Sequence, residues 1–235
     1  MKYLSKALAL LLIVAIWHSF SGPSESWLRA RDVKISNEHG MCSGEQVRAP
    51  SGVDYILTAG HCKGIIVDGN ALVTDSFGRE ISRKVIAEDP NSDLLLLEGL
   101  PSLRGLEIGT YEEHEQHVRT FTHGGNMPDH KTEGELMGYQ EVDIAVSQIE
   151  NAYQEAKCIL LPKNQAINVD TPFGSVELCM MVLNETAVTA SIVPGSSGGM
   201  MVNDAGQLIG VASCTDSHFG YFVTLNDIKA FLSGY

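Results

Sequence analysis

The chain has 235 residues, of which 44% are hydrophobic, 19% charged and 7% aromatic. This length allows one large domain or two small ones, with enough apolar residues for a packed core. Glycine and proline together stay near the average of globular proteins, which argues against a collagen-like or disordered chain. The net charge of −13 repels phosphate backbones and anionic membranes, so we expect no nucleic-acid partner.

The N-terminus has the pattern of a secretory signal. Lys2 and Lys6 precede an uninterrupted apolar stretch over residues 7–17, and a small-x-small cleavage pattern follows at residues 19–22. Because a bilayer span needs about 20 apolar residues, we favour a signal peptide over residues 1–21 and keep an N-terminal anchor as the alternative. We therefore expect a secreted or periplasmic protein, membrane-bound only if this segment is retained.

Short apolar segments separated by turn-rich pieces follow the N-terminal segment. Their spacing of roughly 10 to 25 residues is typical of an all-β barrel or sandwich and not of βαβ units. The predicted strands lie at residues 55–58, 64–67, 84–87, 94–97, 118–121, 142–146, 176–181, 208–212 and 220–223.

Two other stretches predict helix. Residues 150–157 have room for one or two turns. Near the C-terminus, Thr224 and Asp227 resemble a capping box that opens a short helix through Phe231 and Leu232.

Linkers are predicted at residues 21–26 and 100–115, the second joining two halves of the folded chain. Within it, the acidic residues 112–115 with His114 and His117 are expected to form a solvated loop and not a metal site.

Five cysteines are spread too widely for a zinc ribbon or a CxxC redox pair. An exported protein can oxidise them, so we expect disulfides with at least one thiol left over. The cysteines are Cys42, Cys62, Cys158, Cys179 and Cys214.

Three local signals suggest catalysis when they are taken together. His61 follows one apolar strand, Asp93 opens another, and Ser197 lies in a glycine-rich turn. A serine nucleophile needs a histidine base and a carboxylate that orients it. Gly195 and Gly198 allow the sharp turn that aims the N–H groups of Gly195 and Ser197 at one point, as an oxyanion hole requires.

The chain resembles a trypsin-like (chymotrypsin-fold) serine protease from about residue 33 to residue 235. The matching blocks, in the family's order, are LTAGHC at 57–62, DLLLL at 93–97 and GSSGG at 195–199. The resemblance implies two packed six-stranded antiparallel β-barrels with a short C-terminal helix, within a protease domain over residues 28–235. It implies a protein or peptide substrate and no cofactor.

Finer matches point to the HtrA-type branch without its PDZ module. They are Phe77-Gly78-Arg79-Glu80, Val85-Ile86, Asp89-Pro90 and Gln207-Leu208-Ile209-Gly210-Val211. The resemblance also implies a Cys42–Cys62 disulfide, which would pin the histidine loop. A second pair, Cys158–Cys179, then leaves Cys214 as a small buried apolar residue.

One departure from trypsin concerns activation. Trypsin has an aspartate before the nucleophile that pairs with a new N-terminus, whereas this chain has Ser196. Residues 34–37 are only a faint echo of an activation site. We therefore predict activity without zymogen cleavage of that kind.

The specificity pocket is placed by family position. Ser191 is expected at its base, with Ser213, Thr215 and Gly220 along its walls, and the strand at Ser213 pairing with substrate. Because no buried carboxylate would compensate Lys or Arg, we expect cleavage after small or medium apolar residues. The alternative is that His218 reaches in and favours Glu.

Other readings remain. A trypsin-fold protein that binds peptides or a partner without cleaving usually lacks one triad residue, and none is missing here. An esterase typically has a G-x-S-x-G elbow with its histidine last in the chain. A metal enzyme would need histidines at ligand spacing, and no such pair is present.

Overall fold

The structure is a computed structural model that describes residues 22–101, 103–110, 117–127, 130–148, 150–160, 164–172, 174–216 and 218–235. The predicted signal segment and the acidic residues 112–115 lie outside these ranges. Within them, no helix is both long and apolar enough to cross a membrane.

The first half of the chain forms a closed antiparallel barrel in the order β1-β2-β3-β6-β5-β4. Its strands are β1 (Asp32–Asn37), β2 (Gly40–Arg48), β3 (Asp54–Ala59), β4 (Asn70–Thr74), β5 (Glu80–Asp89) and β6 (Leu94–Glu98). The four leucines of β6 are explained by burial on both faces of the strand, because alternate side chains of a strand point to opposite faces. Leu95 and Leu97 fill the barrel, whereas Leu94 and Leu96 join the core between the two halves.

The second half is a seven-stranded antiparallel sheet in the order β13-β12-β11-β7-β8-β10-β9, in which β13 also pairs with β10. Its strands are β7 (His117–Thr122), β8 (His130–Gln148), β9 (Asn164–Thr171), β10 (Gly174–Val188), β11 (Met200–Val202), β12 (Leu208–Thr215) and β13 (Gly220–Val223). The prediction of an all-β chain with two β halves is confirmed, but the second half has one strand more than the six expected. The extra strand, β9, pairs with the first half of β10 and lies outside the six-strand ring.

The segment after β6 runs along both halves. Leu106 exchanges backbone hydrogen bonds with β2, donating to Gln46 and accepting from Arg48. Three residues later the chain bonds to the second sheet, where Gly109 donates to Leu208. Leu106 and Leu208 are both fully buried in the shared core, so this segment holds the two halves against each other.

In the described part of the chain, three α-helices flank the strands: α1 (Glu25–Arg29), α2 (Ala152–Leu160) and α3 (Leu225–Leu232). The C-terminal helix is confirmed, and the Thr224 side chain caps it by accepting from the N–H of Asp227 at 3.2 Å. The strand predicted at 64–67 is wrong, because Gly60–Ile65 form a 3₁₀ helix that turns the chain sharply after β3. A second 3₁₀ helix spans Gly124–Asn126.

Candidate active site

His61 lies at the edge between the two halves, in the 3₁₀ helix that follows β3, with 26% of its side chain exposed. The next residue, Cys62, is bonded to Cys42 on β2, which fixes this turn to the barrel. Gly60 is needed here, because a Cβ atom would come within 3.0 Å of the backbone of Asp93.

Asp93 lies just before β6 and is almost completely buried. Its φ angle is +52°, a left-handed conformation that aspartate adopts more readily than most residues. The carboxylate accepts the backbone N–H of His61 at 2.7 Å through Oδ1. Its Oδ2 lies 2.8 Å from Nδ1 of His61 and accepts the hydroxyl of Ser213 at 2.9 Å. The carboxylate thus orients the imidazole at two points.

Ser213 on β12 connects this carboxylate to Ser197. Its hydroxyl donates to Asp93, and its carbonyl accepts the Ser197 hydroxyl at 3.2 Å. The three predicted residues His61, Asp93 and Ser197 therefore meet at one place. Among the described residues, the Ser197 hydroxyl bonds to Ser213 and not to the imidazole. Sequence reasoning assigned Ser213 to substrate binding and missed its bond to Asp93.

The electrostatics of His61 combine two opposing effects. Burial lowers the pKa of the imidazole, whereas the hydrogen bond and the negative charge of Asp93 raise it. The Asp93 effects prevail, and the pKa of His61 lies above its ordinary value of 6.5. The site therefore favours the imidazolium more than water does.

The turn before Ser197 depends on two glycines in the left-handed region, Gly195 at φ +90° and Gly198 at φ +82°. At Gly198 a Cβ atom would lie 2.0 Å from the Thr58 hydroxyl oxygen, so no side chain fits. Within the described residues, the N–H groups of Gly195 and Ser197 donate to no protein acceptor. Both remain the candidate donors of an oxyanion hole.

Two further serines hold this turn in place. The Ser43 hydroxyl on β2 donates to the Gly195 carbonyl at 3.1 Å and accepts the N–H of His123 at 2.8 Å. The buried Ser196 hydroxyl lies 2.9 Å from Thr122 Oγ1 and accepts the N–H of Val193 at 3.2 Å. Ser196, at the position of the aspartate that precedes the nucleophile in trypsin, thus makes neutral hydrogen bonds. No local sequence pattern indicates this role of Ser43.

The residues predicted for the specificity pocket lie on three neighbouring segments. Ser191 is exposed, and its carbonyl accepts the Thr132 hydroxyl at 2.9 Å. Gly220 is paired with Thr215 and packs so closely that a Cβ atom would be 2.7 Å from the carbonyl oxygen of Ala190. His218 is exposed on the loop between β12 and β13.

The cysteines form two disulfides, Cys42–Cys62 and Cys158–Cys179. Cys214 is free, as the odd number requires, but it is only partly buried, whereas the sequence predicts a buried thiol. It lies at a register shift between β12 and β13 that follows Ala212. Burial raises the pKa of its thiol to about 12, and the nearby carboxylates of Glu185, Asp93 and Asp216 add to this.

These features, two packed β halves with histidine, aspartate and serine where they meet, define the class of trypsin-like peptidases. The trypsin-like peptidase domain family matches residues 40–211. The chain belongs to this family.

Curated relatives include HtrA-type proteases, which confirms the resemblance to the HtrA-type branch. The Bacillus subtilis serine protease Do-like HtrA is 23% identical over 208 residues, which are 84% of this chain and 40% of the relative. The serine protease Do-like HtrB of the same organism is 37% identical over 71 residues, which are 28% of this chain and 14% of the relative. The chain thus spans less than half the length of these curated relatives.

Solved structures show the same fold. The inactive form of a serine-to-alanine mutant of Rv3671c from Mycobacterium tuberculosis matches with a TM-score of 0.62 and 17% identity, covering 92% of this chain and 91% of that one. A serine endoprotease from Yersinia pestis matches with a TM-score of 0.58 and 18% identity, covering 90% and 67%.

Proposed function

We propose that the chain is an active, exported serine endopeptidase that cleaves peptide bonds through an acyl-enzyme. The observation that carries this proposal is the Asp93 carboxylate, which bonds both His61 and Ser213 while Ser213 bonds Ser197. This network connects a base, its orienting carboxylate and a nucleophile.

In the proposed first step, the Ser197 hydroxyl turns from the Ser213 carbonyl toward His61. Its oxygen attacks the carbonyl carbon of the substrate while its proton passes to Nε2 of the imidazole. Asp93 stabilises the resulting positive charge. The negative oxygen of the tetrahedral intermediate accepts from the N–H groups of Gly195 and Ser197.

In the proposed second half, the imidazolium gives its proton to the leaving amine, and the C–N bond breaks. A water molecule then attacks the Ser197 ester, with His61 again taking the proton. Breakdown of the second intermediate releases the carboxylic acid and restores the serine.

For specificity, we propose Ser191, Ser213, Thr215 and Gly220 as the pocket for the residue before the cleaved bond. None of these four residues carries a charge, so a substrate Lys or Arg would be buried without a partner. Small or medium apolar residues fit this environment. The alternative outcome is a preference for glutamate before the cleaved bond, with His218 contacting its carboxylate.

For location and processing, we propose an extracytoplasmic protease domain over residues 28–235, preceded by the signal or anchor at 1–21. The two disulfides support an oxidising compartment. The neutral hydrogen bonds of Ser196 support activity without N-terminal trimming, because this position has no carboxylate to pair with a new amino group. Trimming to Ile35 should therefore produce no gain in activity.

The test is hydrolysis of an unfolded protein substrate and of a peptide library, with Ser197→Ala as the control. We expect the wild type alone to cleave, mostly after alanine, valine or residues of similar size. Binding of peptides without cleavage would instead favour the second candidate, an inactive trypsin-fold binding protein. In that candidate the Ser197 hydroxyl keeps its hydrogen bond to the Ser213 carbonyl and does not turn toward His61.

A further inference from the structure

The second half carries a projection outside its six-strand ring. It consists of α2, β9 and the first half of β10, and we call these residues, 152–160, 164–171 and 174–181, the stapled extension. The disulfide joins Cys158 on α2 to Cys179 on β10, and Ala166 of β9 packs against this pair. The extension is therefore held together by its own covalent link.

One edge of the stapled extension reaches the candidate active site. Met181 and Asn164 lie opposite each other in the register of β10 and β9. Both line a cavity of about 370 Å³ that is also lined by His61, Asp93 and Pro90. This cavity thus lies between the imidazole of the first half and a side chain of the second.

Of the two residues that the extension contributes to this cavity, Met181 is apolar and Asn164 is polar. Met181 is only 4% exposed and clusters with Leu183, and Cys214 packs against this pair. Cys214 directly follows Ser213, so the thiol that the proposed mechanism does not use supports Met181. On the other side, the ion pair of Lys63 and Glu88 lies at the rim of the cavity.

The geometry points to a specificity element, an inference that rests on the proposed function. An extended substrate paired with β12 presents successive side chains to opposite faces. If the residue before the cleaved bond enters the pocket at Ser191 and Gly220, the residue preceding it faces His61. We propose that Met181 and Asn164 select a branched or long apolar side chain at that second position.

The staple gives this selection a structural condition. Cys179 and Met181 are two residues apart on β10 and therefore point to the same face. Without the link to Cys158, hydrogen bonds and side-chain packing alone hold the strand that presents Met181. The other disulfide, Cys42–Cys62, fixes the His61 turn separately. Loss of the staple should weaken the selection and leave the His61 turn fixed.

The experiment uses two peptides that differ only at the second position, leucine against glycine, with alanine before the cleaved bond. We expect the wild type to prefer leucine about tenfold or more in kcat/KM. Met181→Ala should reduce this ratio several-fold. The single variant Asn164→Phe, which fills the cavity, should reduce the ratio more than Met181→Ala does. The double variant Cys158→Ala/Cys179→Ala should also reduce it. The matched control is Met137→Ala on an exposed site of β8, which should keep the wild-type ratio.

A second readout separates this inference from the proposed function. Binding of both peptides to Ser197→Ala, measured by fluorescence anisotropy, requires no catalysis. Preference for leucine in binding without any cleavage by the wild type would overturn the proposed function and support the pocket. A ratio near one in both assays, or equal ratios for Met181→Ala and Met137→Ala, would overturn the inference. If the double cysteine variant does not fold, the two single variants still decide.

Discussion

Asp93 holds His61 through both carboxylate oxygens, one on the ring Nδ1 at 2.8 Å and the other on the backbone N–H at 2.7 Å. A single hydrogen bond would leave the ring free to turn about its own axis. The second bond fixes the backbone to which the ring is attached, so position and orientation are set together. The left-handed backbone of Asp93 is the local strain that accompanies this arrangement.

Replacing Asp93 by asparagine tests this relationship. Asp93→Asn keeps the size of the side chain but removes the charge and offers an N–H to the imidazole, which favours the wrong tautomer. We expect kcat to fall by about 10⁴ with the fold retained. Steady-state kinetics and circular dichroism measure the two effects. A loss smaller than tenfold would show that Asp93 does not orient the base.

The pH profile follows from the raised pKa of His61. Below that pKa the imidazole is protonated and cannot take the proton of Ser197, so activity should rise as the pH increases through it. We expect kcat/KM to rise with an apparent pKa above 6.5. In Asp93→Asn the charge that raises the pKa of His61 is gone. The rise of the residual activity with pH should therefore begin at a lower pH than in the wild type. A profile that is flat between about pH 5 and 8 would contradict a histidine base.

Ser43→Ala tests the support of the oxyanion turn. The variant loses the donor to the Gly195 carbonyl and leaves the N–H of His123 without its acceptor. We expect kcat to fall about tenfold with little change in KM, because an oxyanion hole acts in the transition state. Ser82→Ala, at an exposed site of β5, is the matched control. An increase in KM alone would place Ser43 in substrate binding instead.

Glu45 predicts an unusual dependence of stability on pH. It is fully buried on β2 opposite Asp32, and neither carboxylate oxygen has a partner among the described residues. Burial, and secondly the charge of Asp32, raise its pKa well above 4.5. The folded protein then retains a proton that the unfolded chain releases, so this group lowers the free energy of unfolding as the pH rises above about 4.5.

The variant Glu45→Gln removes this titration. We expect it to be more stable than the wild type at pH 8 by about 1 to 3 kcal/mol, with a smaller difference at pH 4. Urea unfolding at both pH values measures this, with Glu80→Gln at an exposed site as the control. Equal shifts at pH 4 and pH 8 would show that Glu45 does not titrate as described.

The fold class and the candidate site residues could be predicted from the sequence because both depend on short local patterns. Both faces of β6 are buried, with Leu95 inside the barrel and Leu94 toward the other half, so the strand reads as an unbroken apolar run. The capping pair of Thr224 and Asp227 is equally local. His61 needed the family pattern as well, since a histidine after a strand has many other uses.

The remaining features depend on long-range register. Strand β9 depends on its antiparallel register with β10, and its own residues alternate weakly. The carbonyl of Ser213 that receives the Ser197 hydroxyl is a backbone group, on which the residue type has no direct influence. Such contacts become visible only in three dimensions.

The central claim is that Ser197 is a nucleophile activated by His61. Labelling of the mature protein by a fluorophosphonate probe, followed by mass mapping of the modified peptide, tests it most directly. We predict one label, on Ser197, that disappears in Ser197→Ala and is strongly reduced in His61→Ala. An unlabelled wild type, or equal labelling of wild type and His61→Ala, would contradict the claim.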